Sequence, residues 1–124
     1  MKFLDSNVLA YAFYRNEHMQ GCQLAINEGG VTNTLTLIEA FFIIEKETGS
    51  RETAHRAVRG LLKSSVEIVD TDINLLFEAL KLVSKLRLSI FDAVHYACAS
   101  ARGCDAVMSY DKDFDRLDIP REEP

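Results

Sequence analysis

Short apolar runs alternate along this chain with longer stretches in which apolar residues recur every three or four positions. The first kind reads as β-strand and the second as amphipathic helix. Phe3 and Leu4 open a strand that begins at Lys2 and runs toward Val8, with Asp5 near its carboxyl end. Met19, Cys22, Leu24 and Ile26 space out a helix from about Glu17 to Asn27, and Gly29-Gly30 punctuates the chain after it. Val31-Thr32 reads as a short strand edge. A second helix runs from about Thr36 to Glu47 and stops at Gly49. Ser50 caps a third, whose stripe is Ala54, Ala57, Val58, Leu61 and Leu62.

Val66 to Val69 is strand-like. Asp72 caps a helix through Leu76, Leu80 and Val83 that ends near Leu86. Ser89 caps another that runs to Arg102, with Asp92 in its first turn and Gly103 as its stop. Ala106 to Met108 is a strand, Asp113-Phe114 begins a short turn or helix, and Ile119-Pro120 ends a marginal last strand. The Glu122-Glu123-Pro124 tail is expected to fray.

Strands separated by helical crossovers of this length argue for an α/β fold of three layers. A central, mainly parallel sheet would be covered by helices on both faces. Such folds bind ligands outside the carboxyl ends of their strands. Asp5 and Asp111 follow strands at that end, and Glu39 and Asp92 are expected in the first turns of helices starting there. The 124 residues make one domain, 1–124, with no internal repeat or linker.

Composition narrows the classes. Hydrophobic residues are 48% and charged residues 27%, the balance of a soluble globular domain. No apolar stretch reaches the length of a membrane span, and Asp5 and Asn7 interrupt any signal-peptide core. The expected location is the cytoplasm. Cys22, Cys98 and Cys104 are odd in number and badly spaced for zinc or a disulfide framework. The net charge of -5 counts against a broad DNA-binding surface. It leaves a nuclease open, because a bound metal offsets the charge of a carboxylate site.

The anomaly is the placement of the acids. Asp5, Glu39, Asp92 and Asp111 all lie where apolar segments meet loops or helices. Desolvating an unpaired charge is costly, and most of these acids have no basic neighbour in sequence. A divalent cation shared among them resolves the cost and suggests a metal-dependent hydrolase. Oxygen-only ligands favour Mg²⁺ or Mn²⁺ over zinc. Asp113 is a second candidate ligand or the cap of a terminal helix, whereas Asp115 reads as a solvated charge. Asn7 either orients the Asp5 carboxylate or binds a metal-held water, or else caps the following helix. Ser109 can hold a water or a phosphate oxygen. His95, three residues after Asp92, reads as a core or supporting histidine, with general base or ligand as the alternative. His18 and His55 read as surface residues. Arg51, His55, Arg56, Arg59 and Lys63 make one helix face basic, suited to phosphates or simply to solvent.

Taken in order, four segments resemble the PIN-domain family, and within it the small VapC-type ribonuclease toxins. They are Phe3-Leu4-Asp5-Ser6-Asn7-Val8-Leu9, Glu39 in its helix, Phe91-Asp92-Ala93-Val94-His95, and Ser109-Tyr110-Asp111-Lys112-Asp113-Phe114. The resemblance covers essentially the whole chain. It implies a metal-binding quartet of Asp5, Glu39, Asp92 and Asp111, with Asn7 and Ser109 in support. It also implies Mg²⁺ or Mn²⁺, an RNA substrate, a homodimer and a small antitoxin partner.

Three other readings compete. A haloacid-dehalogenase-type phosphatase needs a second Asp two residues after the first, and this chain has Asn7 there. A receiver domain needs an acid pair after its first strand, where this chain has one acid, although Asp70 imitates a phosphoacceptor. A non-catalytic scaffold binding RNA or protein would have little reason to keep four costly acids.

Overall fold

Phe3 and Leu4 are both buried, yet successive residues of a strand point to opposite faces. Both faces of the sheet must therefore be covered. The structure is a computed structural model describing residues 1–124. Its strands are β1 (Lys2–Leu4), β2 (Gly30–Asn33), β3 (Val66–Val69), β4 (Ala106–Met108) and β5 (Arg121–Glu122). They lie in the order β3-β2-β1-β4-β5, and every pairing is parallel. The helices are α1 (Ser6–Tyr11), α2 (Met19–Glu28), α3 (Thr34–Thr48), α4 (Arg51–Leu62), α5 (Ile73–Leu86) and α6 (Ile90–Ala101). A 3-10 turn spans Lys112–Phe114.

The sheet divides two cores. Leu4, Val66 and Met108 join side chains of α1 to α4 in one. Phe3, Val31 and Val107 join those of α5 and α6 in the other. This is the expected α/β/α sandwich, with an all-parallel sheet. Three expected caps form: Ser50 accepts from Thr53 N, Asp72 from Leu75 N and Ser89 from Asp92 N. All three cysteines are buried and free.

Several boundaries differ for identifiable reasons. The first strand stops at Leu4 because Asp5 caps α1, its carboxylate accepting from Ser6 N at 2.8 Å. Val8 is thus helical. The segment at Val31-Thr32 is interior rather than an edge, since β3 pairs outside it. There Gly30 adopts φ +136, and a Cβ on it would stand 2.5 Å from the Lys2 carbonyl oxygen. Only glycine permits that approach between β1 and β2. The α3 helix starts at Thr34 because Asn33 caps it, which moves Glu39 from the first turn to the second. The last strand begins after Pro120, whose carbonyl accepts from Val107 N. The tail expected to fray carries two ion pairs, Glu122 with Lys2 at 2.8 Å and Glu123 with Arg121 at 2.7 Å. Asp115, expected to be solvated, also pairs with Arg121.

Strand order locates the ligand-binding rim. From β1 the chain builds outward through β2 and β3, then returns to lay β4 and β5 on the other side of β1. The crevice at such a reversal opens between the carboxyl ends of β1 and β4. Asp5 and Ser109 are the residues immediately after those two strands.

Candidate metal centre

Asp5 is 3% exposed and remains tied to the sheet, its backbone N–H donating to Met108 O at 3.0 Å. One carboxylate oxygen accepts from Ser6 N. The other accepts from Ser109 Oγ at 2.6 Å and Asn7 Nδ2 at 3.3 Å. Asn7 thus touches the Asp5 carboxylate, while Asp5 itself caps the helix. Asn7 also accepts from Tyr110 N at 3.2 Å, and Ser109 Oγ accepts from Asp111 N at 2.9 Å. The ends of β1 and β4 are thus laced together around one buried carboxylate. Its burial pushes the Asp5 carboxyl above the usual range despite these donors.

The other acids arrive from three directions. Glu39 projects from the second turn of α3, and its Oε1 lies 2.5 Å from Nε2 of the buried His95. Asp92 enters from the first turn of α6. Asp111 follows β4 and caps the 3-10 turn, accepting from Asp113 N at 2.9 Å. Ligand atoms of Asp5, Glu39 and His95 lie within 4.8 Å of one another, as do those of Asp92, Asp111 and Asp113. Asp92 links the two groups electrically. Its carboxyl is pushed up to about 6, first by burial and then by the charges of Asp111 and Asp5.

No lysine or arginine pairs with Asp5, Glu39, Asp92, Asp111 or Asp113. The surface ion pair that Lys112 offers Asp111 does not form. Converging, half-buried carboxylates without a cation suit a hard divalent ion, which takes oxygen donors. The residues present fit such an ion. They do not fit zinc, because the one nearby imidazole nitrogen is already engaged by Glu39.

A family model described as the PIN domain matches residues 2–120. The chain belongs to the PIN-domain family. No curated protein sequence matches it. Among solved structures it is similar to VapC20 of Mycobacterium tuberculosis, described as a toxin cleaving the sarcin-ricin loop. That likeness has a TM-score of 0.84 at 16% identity and covers 100% of both chains. A toxin–antitoxin complex from Klebsiella pneumoniae superposes with TM-score 0.73 at 15% identity, over 97% of this chain and 95% of the other. VapBC2 of Rickettsia felis, bound to a DNA fragment from its promoter, gives 0.72 at 17%, over 98% and 97%. At these identities the likeness is one of fold.

The PIN topology also disposes of the receiver reading. Asp70 follows β3, an edge strand two places from β1. Neighbouring strands are about 4.8 Å apart, so Asp70 sits roughly 10 Å of sheet away from Asp5. Two residues of this PIN domain escaped the sequence reading. Asn33 and Thr36 are buried polar side chains that bond to one another, and both lie 3.2 Å from His95 Nδ1. A signal existed, because an Asn after a short strand and before an apolar helix is an N-cap signature. His18, expected at the surface, is half-buried with its ring 4.2 Å from that of Tyr110.

Proposed function

We propose that this PIN domain is an endoribonuclease dependent on Mg²⁺ or Mn²⁺, and the toxin of a toxin–antitoxin pair acting in the cytoplasm. The observation that carries the reading is Asp5. It is a buried carboxylate at the sheet's reversal point, with Glu39 beside it, Asp92 near enough to feel its charge, and no Lys or Arg partner. An arrangement that costly is accounted for by a cation. The fold likeness to VapC20 supports RNA as the substrate class.

In this reading Asp5, Asp92 and Asp111 would hold the ion, directly or through water, with Asp113 as a further candidate ligand. When bound, the ion lowers the pKa of its water and polarises the phosphate. Ser109 and Asn7 keep the Asp5 carboxylate aimed at the rim. Glu39 orients the attacking water and receives its proton. The water oxygen forms the new P–O bond as one bridging P–O bond breaks, and the leaving oxygen takes up a proton. The sheet and helix ends hold these groups before substrate arrives, which is where such sites derive most of their effect.

Two exposed apolar surfaces fit the implied protein partners. Ile73, Leu76, Phe77 and Leu80 form an exposed apolar stripe along α5, which can pack on its own copy about a two-fold axis. Leu37, Ile38, Phe41, Phe42 and Val58 line a groove between α3 and α4, shaped for a short segment of an antitoxin. Arg56 and Arg59 on α4, and Lys63 at its C-cap, are exposed without ion pairs and are free to meet phosphates. No helix is long and apolar enough to cross a membrane.

The test is incubation with a panel of structured and single-stranded RNAs in Mg²⁺ or Mn²⁺, with EDTA as control. Metal-dependent cleavage of at least one RNA is the expected result. Cleavage that proceeds equally in EDTA contradicts the reading.

A further inference from the structure

His95 is 1% exposed and bonded through both ring nitrogens. Its Nδ1 lies 3.2 Å from Asn33 Nδ2 and 3.2 Å from Thr36 Oγ1, while Nε2 meets Glu39 Oε1 at 2.5 Å. The ring stacks on Phe3 with centroids 5.7 Å apart. A neutral imidazole has one donor and one acceptor, and its neighbours select which is which.

Here the selection starts from a group with no freedom. The backbone N–H of Thr36 can only donate, and it donates to Asn33 Oδ1 at 2.9 Å. Thr36 Oγ1 donates to that same oxygen, also at 2.9 Å. Together they set the orientation of the Asn33 amide, with Oδ1 toward α3 and Nδ2 toward the ring. An amide nitrogen only donates, so His95 Nδ1 must accept. The imidazole proton then sits on Nε2 and is donated to Glu39.

We propose that His95 is a positioning residue, locked by Asn33 as the Nε2–H tautomer so that it grips one oxygen of Glu39. This rests on the reading of Glu39 as part of the metal centre. The other Glu39 oxygen has no protein donor and is left for the ion or its water. The same lock removes His95 from the ligand set, because Nε2 has no free lone pair. It also explains why a histidine stands among the buried residues of α6, which are otherwise Ala, Val, Tyr and Cys. Glu39 stands on a long side chain, partly exposed at 27%, and would sample several rotamers without a fixed donor. Asn33 thus does two things at once: it starts α3, the helix that carries Glu39, and it aims the ring that holds Glu39.

The test reads the metal-free wild-type protein first. A two-bond ¹H–¹⁵N correlation spectrum of the histidine rings should show His95 as the Nε2–H tautomer. An Nδ1–H tautomer overturns the proposal and leaves the nuclease reading untouched. Calorimetric Mn²⁺ titration then compares His95→Gln, His95→Leu and Asn33→Ser with wild type. Gln keeps a donor near the Nε2 position, Leu has none, and Ser keeps the helix cap but not Nδ2. Lost support for a metal ligand weakens affinity by about 10–100-fold. That loss is expected for His95→Leu, a smaller one for Asn33→Ser, and near-wild-type affinity for His95→Gln. Tight binding by the Leu and Ser variants overturns the positioning role. If the Leu variant does not fold, the Ser variant and the wild-type spectrum decide. Failure of the wild type itself to bind Mn²⁺ overturns the metal reading, and this proposal with it.

Discussion

At the scale of single residues, the site is a balance between burial and donation. Asp5 accepts hydrogen bonds from Ser6, Asn7 and Ser109, yet burial still raises its carboxyl. Asp92 has fewer donors and more acidic neighbours, and its carboxyl reaches about 6. An unfolded Asp titrates near ~3.9. The folded protein therefore holds the Asp92 proton to higher pH than the unfolded chain does. Below about 4 both states are protonated and Asp92 carries no penalty. As pH rises from about 4 to about 6 the metal-free fold loses stability, and above that the whole cost is present. Asp92→Asn removes the cost. Thermal denaturation without metal should show the variant melting higher at pH 7.5, by about 4 °C for each kcal/mol relieved. The difference should vanish near pH 4. A gain of the same size at both pH values would mean that charge is not its cause.

At the scale of elements, what could be read from the chain depended on whether a signal was local. The caps at Ser50, Asp72 and Ser89 were legible because each is a side chain bonding three residues ahead. So were the four acids, since a carboxylate in an apolar run is anomalous whatever surrounds it. The place of β2 inside the sheet was not legible, because an interior and an edge strand of four residues look alike until their pairing is known. The α3 start was misplaced because Asn33 reads equally well as turn or cap. His95 was ambiguous for a similar reason: its partners come from β2 and α3, about sixty residues earlier. Gly30 shows what a non-local constraint looks like, since its need comes from the Lys2 carbonyl. Gly30→Ala should destabilise the protein by about 1–3 kcal/mol, the range for a strained backbone held in place. Urea denaturation measures it, and an unchanged midpoint would show that the two strands can part at little cost.

At the scale of the whole molecule, a chain carrying a net charge of -5 brings four acids to one rim and leaves apolar surface elsewhere. Phe77, 64% exposed on α5, lies in the middle of the larger stripe. If that stripe joins two copies, Phe77→Glu places two like charges at an interface that has nothing to pair them. Sedimentation at micromolar concentration should then show a dimer for wild type and a monomer for the variant, with the melting transition of the monomer still cooperative. A wild-type monomer, or a variant that still dimerises, would free α5 for another role. The acidic cluster of each copy lies at its own strand ends, so the two questions are separable.

The most direct test of the central claim pairs wild type with Asp5→Asn on an RNA the wild type cleaves. Asn keeps the size of the side chain and most of its hydrogen bonds but removes the charge that the ion requires. The account predicts that Asp5→Asn folds normally, melts no lower than wild type without metal, and cleaves at least ~10²-fold more slowly, the loss typical of a group that acts at the reacting centre. Metal-dependent cleavage by Asp5→Asn at the wild-type rate would contradict the assignment of this rim as the catalytic site.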